Sequence, residues 1–324
     1  MKNLRVEKTI AMRDTFLESV YALMSKNKDI FFVTADFGSP VLDKIRSDCP
    51  DQFINVGIAE QNLINVSVGI ALEGYKVFAY AIAPFITMRC YEQIRVNLAL
   101  LSNIRKLNVN LIGVGAGYSY PVSGPTHQCY EDISIMRTMP NMQIFSPSDQ
   151  NLAGKLPKII NNKLGPKYIR LDAQILPLIY EKKNRLKLTN GFFEVFPGKN
   201  ILIIATGFMV HTAIEVSKKL AKRDISACVV DLFKITDFNQ NNFYKLLNQY
   251  KYICSFEEGF VGRGGVDAML FNFIQSKDID CKFKNFGVIP EYGFQVGDRK
   301  TLHEEVGIGE KVLTKKILKF LKNE

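Results

Sequence analysis

Glu60 is the residue in this sequence best placed for acid–base chemistry. It follows the apolar, glycine-containing run INVGIA and opens a segment with almost no other charge. Leu63, Ile64, Val66, Val68, Ala71 and Leu72 recur behind it at helical spacing, which predicts a largely buried helix with Glu60 near its start. A glutamate is rarely buried without a partner. Desolvation would raise its pKa and leave it protonated or ready to share a proton. The plainer reading of the segment alone is a first-turn acid that complements the helix dipole. His127 stands in the string SGPTHQ (123–128), where Gly124 and Pro125 fix a turn able to present the imidazole. A lone loop histidine is more often a polar surface group. Asp36 in TADFG either reaches a site or caps the loop after a strand. Phe85, Tyr91 and Gln93 in FITMRCYEQIR either build a flat apolar slot with a polar edge or simply bury aromatics in a core.

The elements that must hold these side chains read as an α/β fold. Short apolar runs (DIFFVTADFG, KVFAYAIAPF, VNLIGVGAG, MQIFSPSD, KYIRLD) alternate with helical patterns over 9–26, 60–73, 86–101, 129–138 and 149–162. Buried-type strands alternating with helices predict a parallel sheet covered on both faces. Residues 176–198, with charges, Pro177, Gly191, Pro197 and Gly198, break the rhythm as an interdomain linker would. A second, smaller α/β unit follows, with strands in NILIIATG, SACVVDLF, YICSFEEG and CKFKNFGV. Its helices are expected over 210–222, 239–249, 264–275 and 309–322. Two doubly wound domains are expected, 1–180 and 190–324.

The chain has 324 residues, is 47% hydrophobic and carries a net charge of +10. It has room for two cores. No apolar run reaches a membrane span, and MKNLRVEKTIAMRDTF lacks the apolar centre of a signal peptide, so a cytoplasmic location is expected. Six cysteines without a CxxC pair read as free thiols. The lysines cluster over 155–187 and 311–322 without aromatic interleaving or a helix-turn-helix pattern, which argues against nucleic acid.

Five blocks in order, TADFG (34–38), GIAEQN through Gly74, FITMRCYEQIR (85–95), GPTHQ (124–128) and MPNMQIFSPSD (139–149), resemble the thiamine-diphosphate-dependent transketolases and deoxyxylulose-phosphate synthase. The resemblance spans most of residues 10–175, and a weaker likeness to the family's C-terminal domain continues to the end. It implies that Glu60 is the acid exchanging a proton with the cofactor's aminopyrimidine. It implies that Phe85 and Tyr91 pack on that ring and Gln93 meets its edge. Asp36 would lie near the cofactor and a subunit interface. His127 would contact the donor's hydroxyls, and Arg13 and Arg170 would grip an anionic group.

Departures from the family bear on the substrate. Ser123 replaces a usual Asp, and Gly115 replaces a transketolase-type His twelve residues before His127, leaving space where an imidazole is expected. Ile82 replaces a usual Tyr of the synthase, and one extra residue lies between Phe85 and Tyr91. The sequence has no GDG string, the nearest being GDR at 297–299, and no Mg²⁺ ligand set is evident. The resemblance therefore implies the C-terminal subunit of a split transketolase. An N-terminal subunit would hold the diphosphate and Mg²⁺, in a heterotetramer of two of each chain, and would act on small sugars in a specialised carbohydrate pathway. The alternatives are the beta subunit of a 2-oxo-acid dehydrogenase complex, against which GPTHQ argues, and a non-catalytic binding protein, against which Glu60 argues.

Overall fold

A computed structural model describes residues 9–181 and 187–322. The first eight residues of the stretch inspected for a leader, five residues of the expected linker and the last two residues lie outside the described part.

Six strands form the first sheet: β1 (Ile30–Thr34), β2 (Phe53–Asn55), β3 (Lys76–Ile82), β4 (Asn108–Val114), β5 (Gln143–Phe145) and β6 (Gly165–Leu171). Their order is β2-β1-β3-β4-β6-β5, and every pair is parallel. Thr34 pairs with Tyr80, Tyr80 with Ile112 and Ile112 with Ile169, so the carboxyl ends of the central strands finish near one level. Alternate strand residues face opposite sides. Phe32, Phe78, Tyr80 and Ile112 pack on helix α1 (Met12–Met24) through Phe16 and Leu17. Val33, Val77, Ala79 and Leu111 pack on helix α3 (Glu60–Leu72) through Leu63 and Ile64. Each helix thus fills one face of the same sheet.

Two elements escape the sequence pattern. Helix α2 (Pro40–Asp48) starts where the Ser39 hydroxyl accepts from the Val41 N–H at 3.3 Å, with Pro40 in the first turn. The three-residue strand β2 is too short to show a pattern. The helix expected over 86–101 is irregular. It has π-helical turns at Phe85–Arg89 and Ile94–Leu100 on either side of a short α segment, Tyr91–Gln93. A π turn holds more residues than an α turn, so the path from Phe85 to Arg89 is wider than a regular helix would make it.

The second sheet contains β7 (Phe193–Phe196), β8 (Ile201–Ala205), β9 (Ala227–Asp231), β10 (Tyr252–Phe260) and β11 (Lys282–Val288), in the order β11-β10-β8-β9-β7. Only β7 runs antiparallel, against β9, and it falls in the stretch expected to be linker. The two sheets meet directly. The Ser146 N–H donates to the Phe233 carbonyl at 2.7 Å, and Phe145 bridges Lys234. Among the described residues, no helix is long and apolar enough to cross a membrane.

Candidate active site

Glu60 is the first helical residue of α3, reached through Gly57, whose φ of 74° turns the chain back from β2. The helix N-terminus favours its negative charge. The residue is 4% exposed, so that charge needs a partner within the protein. Arg89 supplies it, donating from Nη1 to Glu60 Oε2 at 2.7 Å. Arg89 ends the π turn that Phe85 begins, and its guanidinium lies 4.6 Å from the centre of the Phe85 ring. The edge of His127 meets the same ring, with centroids 5.3 Å apart at 72°. Glu60, Arg89, Phe85 and His127 therefore form one continuous cluster, drawn from three separate stretches of sequence. His127 is also ordered by Thr126, whose hydroxyl lies 3.0 Å from Nδ1, and by its own N–H, which donates to the Gly124 carbonyl.

Tyr91 and Gln93 stand beside this cluster rather than in it. Tyr91 is half-buried against the first core, and its hydroxyl lies 2.5 Å from Thr138 Oγ1. The Gln93 Oε1 is buried with no hydrogen-bond partner among the described residues. Asp36 is exposed on the loop after β1 with φ 53°. It exchanges two bonds with Asn55: its N–H donates to Asn55 Oδ1 at 3.1 Å, and its Oδ1 accepts from Asn55 Nδ2 at 2.9 Å.

A second cluster lies at the carboxyl end of β4. Gly115 takes φ 103°, and a Cβ placed there would fall 2.3 Å from Cε2 of Tyr120. The space expected for an imidazole is thus filled by the Tyr120 ring. Burial pushes the Tyr120 hydroxyl up to about 12, against the pull of nearby Arg13. Arg13 also lies near the buried Tyr80, and its Nε donates to Asp14 at 2.8 Å. Tyr120 and His127 belong to the same loop, with exposed Ser123 between them.

Arg170 departs from expectation. It sits on the inner face of β6, 2% exposed, with Nε donating to the fully buried Asp132 at 2.7 Å. Its Nη2 donates to the carbonyls of Cys129 at 3.3 Å and Glu258 at 3.2 Å. Tyr168, two residues earlier and on the same face, donates to the same Asp132 oxygen. The strand's alternation turns Arg170 into the protein, where it ties the base of the site loop to the second domain.

Sequence reasoning missed the network behind that loop. Arg299 holds Glu258 with two bonds of 2.9 and 2.6 Å and reaches Asp172 at 2.6 Å. His303 Nε2 lies 2.6 Å from Glu258 Oε1, and the Ser119 hydroxyl donates to Asp172. Burial would raise the Glu258 carboxyl, but Arg299 and His303 overcome it and hold the group well below the usual carboxylate range. Nothing in the spacing of these residues links them. Arg89 was missed although it lies inside FITMRCYEQIR, because its bond to Glu60 is a tertiary contact between elements 29 residues apart. Among the described residues, no group of three or more His, Cys, Asp or Glu side chains is arranged to hold a metal ion.

Comparison with known proteins identifies the two domains that carry these residues. The family "Transketolase, pyrimidine binding domain" matches residues 8–177, and "Transketolase, C-terminal domain" matches residues 194–312. An apulose-4-phosphate transketolase subunit of Phocaeicola vulgatus is 30% identical over 97% of this chain and 98% of its own length. A 6-deoxy-6-sulfo-D-fructose transketolase subunit of a Clostridium species is 29% identical over 71% of this chain and 70% of its own. Among solved structures, a split-gene transketolase, described as an inactive beta4 tetramer, superposes with a TM-score of 0.84. It is 27% identical and covers 97% of this chain and 99% of that one. With more than half its length matched by the pyrimidine-binding family and a relative 30% identical over 97% of this chain, the chain belongs to the transketolase family.

Proposed function

We propose that this chain is the pyrimidine-side subunit of a two-chain, thiamine-diphosphate-dependent transketolase moving a two-carbon ketol unit between sugars. The observation that carries the reading is the cluster in which Glu60, buried in the first turn of α3, is joined through Arg89 to the ring of Phe85, which in turn meets His127. A buried carboxyl and an aromatic face spanned by one flat guanidinium fit the edge and face of the aminopyrimidine half of the cofactor. When bound, thiamine diphosphate supplies the carbon that accepts and passes on the two-carbon unit. Glu60 exchanges a proton at its carboxyl with the ring nitrogen, and Phe85 holds the ring flat. His127, ordered by Thr126, aligns the donor's hydroxyls. Asp36 faces the cofactor side of a subunit interface, and Tyr91 and Gln93 back the ring's wall.

The diphosphate and Mg²⁺ are assigned to an N-terminal partner subunit, in a cytoplasmic heterotetramer of two of each chain. This division is supported by relatives that are themselves named as transketolase subunits and by the split-gene structure. The domains divide between 180 and 190.

The substrate is a sugar carrying an anionic group but differing from the common pentose phosphates. Arg13 with Tyr120 offers a cation and a hydroxyl at the mouth of β4, next to Ser123. Arg170 is left out of this set because its bonds are spent inside the chain. Relatives named for apulose 4-phosphate and a sulfonated fructose support an unusual anionic sugar.

Reconstitution with a candidate partner, assaying two-carbon transfer beside 2-oxo-acid decarboxylation, tests the reading. Ketol transfer that requires both chains is expected. Tight Mg²⁺-dependent thiamine diphosphate binding by this chain alone, or decarboxylation without transfer, would overturn it.

A further inference from the structure

Arg89 holds both handles that the proposed function reserves for the cofactor's ring. Its guanidinium is a flat, delocalised group with N–H donors along its edge. One edge donates to Glu60 Oε2 at 2.7 Å, and the group itself lies 4.6 Å from the centre of Phe85. An aminopyrimidine needs the same two contacts, an edge against the carboxyl and a face against the ring. Both cannot be made at once by two different groups. The geometry points to Arg89 as a displaceable occupant of the pyrimidine seat, which must swing aside before the cofactor can take hold of Glu60.

Two further features make it displaceable. The Arg89 side chain is 47% exposed while that of Glu60 is 5% exposed, so the arginine can move toward solvent and the glutamate cannot. Arg89 also closes a π turn, and such turns are irregular points in a helix that often mark functional sites. The Arg89 carbonyl is tethered to α3 by a bond from Gln61 at 3.3 Å, so the backbone can stay in place while the side chain rotates.

The consequence is a competition. If the seat is open in only about a tenth of molecules, the apparent dissociation constant for a ring rises about tenfold. This inference rests on the proposed role of Glu60 but does not need the partner chain to be tested. The probe is 4-amino-5-hydroxymethyl-2-methylpyrimidine, titrated by ligand-observed NMR against the isolated chain. Arg89→Met is expected to bind it about tenfold more tightly than wild type. The double variant Glu60→Gln/Arg89→Met should lose that gain. Arg89→Gln, which keeps polarity and most of the length, serves if the methionine variant does not fold and should show the same direction.

Equal or weaker binding in the Arg89 variants, or no detectable binding by any of them, overturns the inference. So does a gain that survives Glu60→Gln. Ketol transfer by the reconstituted enzyme with no gain in the variants would sink the displacement and keep the function. A Glu60-dependent gain with no ketol transfer would do the reverse.

Discussion

The ring of Tyr120 lies against Gly115 so closely that a single added carbon would fall 2.3 Å from it. The glycine is held at φ 103°, which a residue with a Cβ takes only under strain. Gly115→Ala should therefore destabilise the chain by about 2–4 kcal/mol, combining backbone strain with overpacking. Gly115→Ala/Tyr120→Ala should recover part of that loss. Urea unfolding of the three proteins measures it. No recovery in the double variant would mean that the strain lies in the backbone alone.

Arg13 and Arg170 should separate cleanly on mutation. Arg170→Met strands the buried Asp132, and breaking such a pair costs about 3–5 kcal/mol. Arg13→Ala removes a partly exposed side chain whose ion partner, Asp14, is its neighbour in sequence, so stability should change by under about 1 kcal/mol. In the reconstituted enzyme, Arg13→Ala should raise KM for an anionic sugar about tenfold with kcat little altered, as expected when uniform binding is lost. Thermal unfolding with steady-state kinetics decides. A stable Arg170→Met with a raised KM would return that arginine to the substrate site.

Glu60→Gln keeps the size of the side chain but removes the exchangeable acid. In the reconstituted enzyme, hydrogen–deuterium exchange at the cofactor's thiazolium carbon should slow by about 10²–10⁴-fold, the range for loss of a positioned acid–base group. A rate near wild type would make Glu60 a helix-start residue paired with Arg89 and nothing more.

Asp231 sets a pH dependence of stability. Burial pushes its carboxyl up to about 7, although bonds from Ser148 and Tyr180 pull the other way. The unfolded chain releases this proton near pH 4. The stabilising share of the protonated acid is thus complete below about pH 4 and is lost as pH rises through about 7. The loss is at most about 4 kcal/mol. Asp231→Asn should flatten the curve, gaining on wild type between pH 5 and pH 8. Urea unfolding at both pH values checks it, and parallel curves would refute it.

What was legible in the sequence followed from strong local patterns. The charge-poor helical spacing behind Glu60 marked α3 and its buried start, because burial leaves a periodic trace. The apolar runs marked β1, β3, β4 and β6 for the same reason. Helix α2 was missed because its start rests on one Ser39 bond, and β7 because four residues do not make a pattern. For Arg170 the sequence did not show the side chain's bonds to Asp132 and to the carbonyls of Cys129 and Glu258, because those partners lie far away in the chain. Arg89 could not be found because its contact with Glu60 joins two elements 29 residues apart, which no local pattern records.

The knot of Asp172, Glu258, Arg299 and His303 bears on how the chain can be cut. Asp172 follows the last strand of the first sheet, while the other three come from the second domain. The same domain gives Arg170 a carbonyl, at Glu258. A fragment ending between the two family domains would take Arg299 away from Asp172 and Glu258 away from Tyr118 and Arg170, loosening the loop that carries His127. The two domains are therefore poor modules for exchange. Grafting the first onto another relative's second half would require all three partner side chains to travel with it.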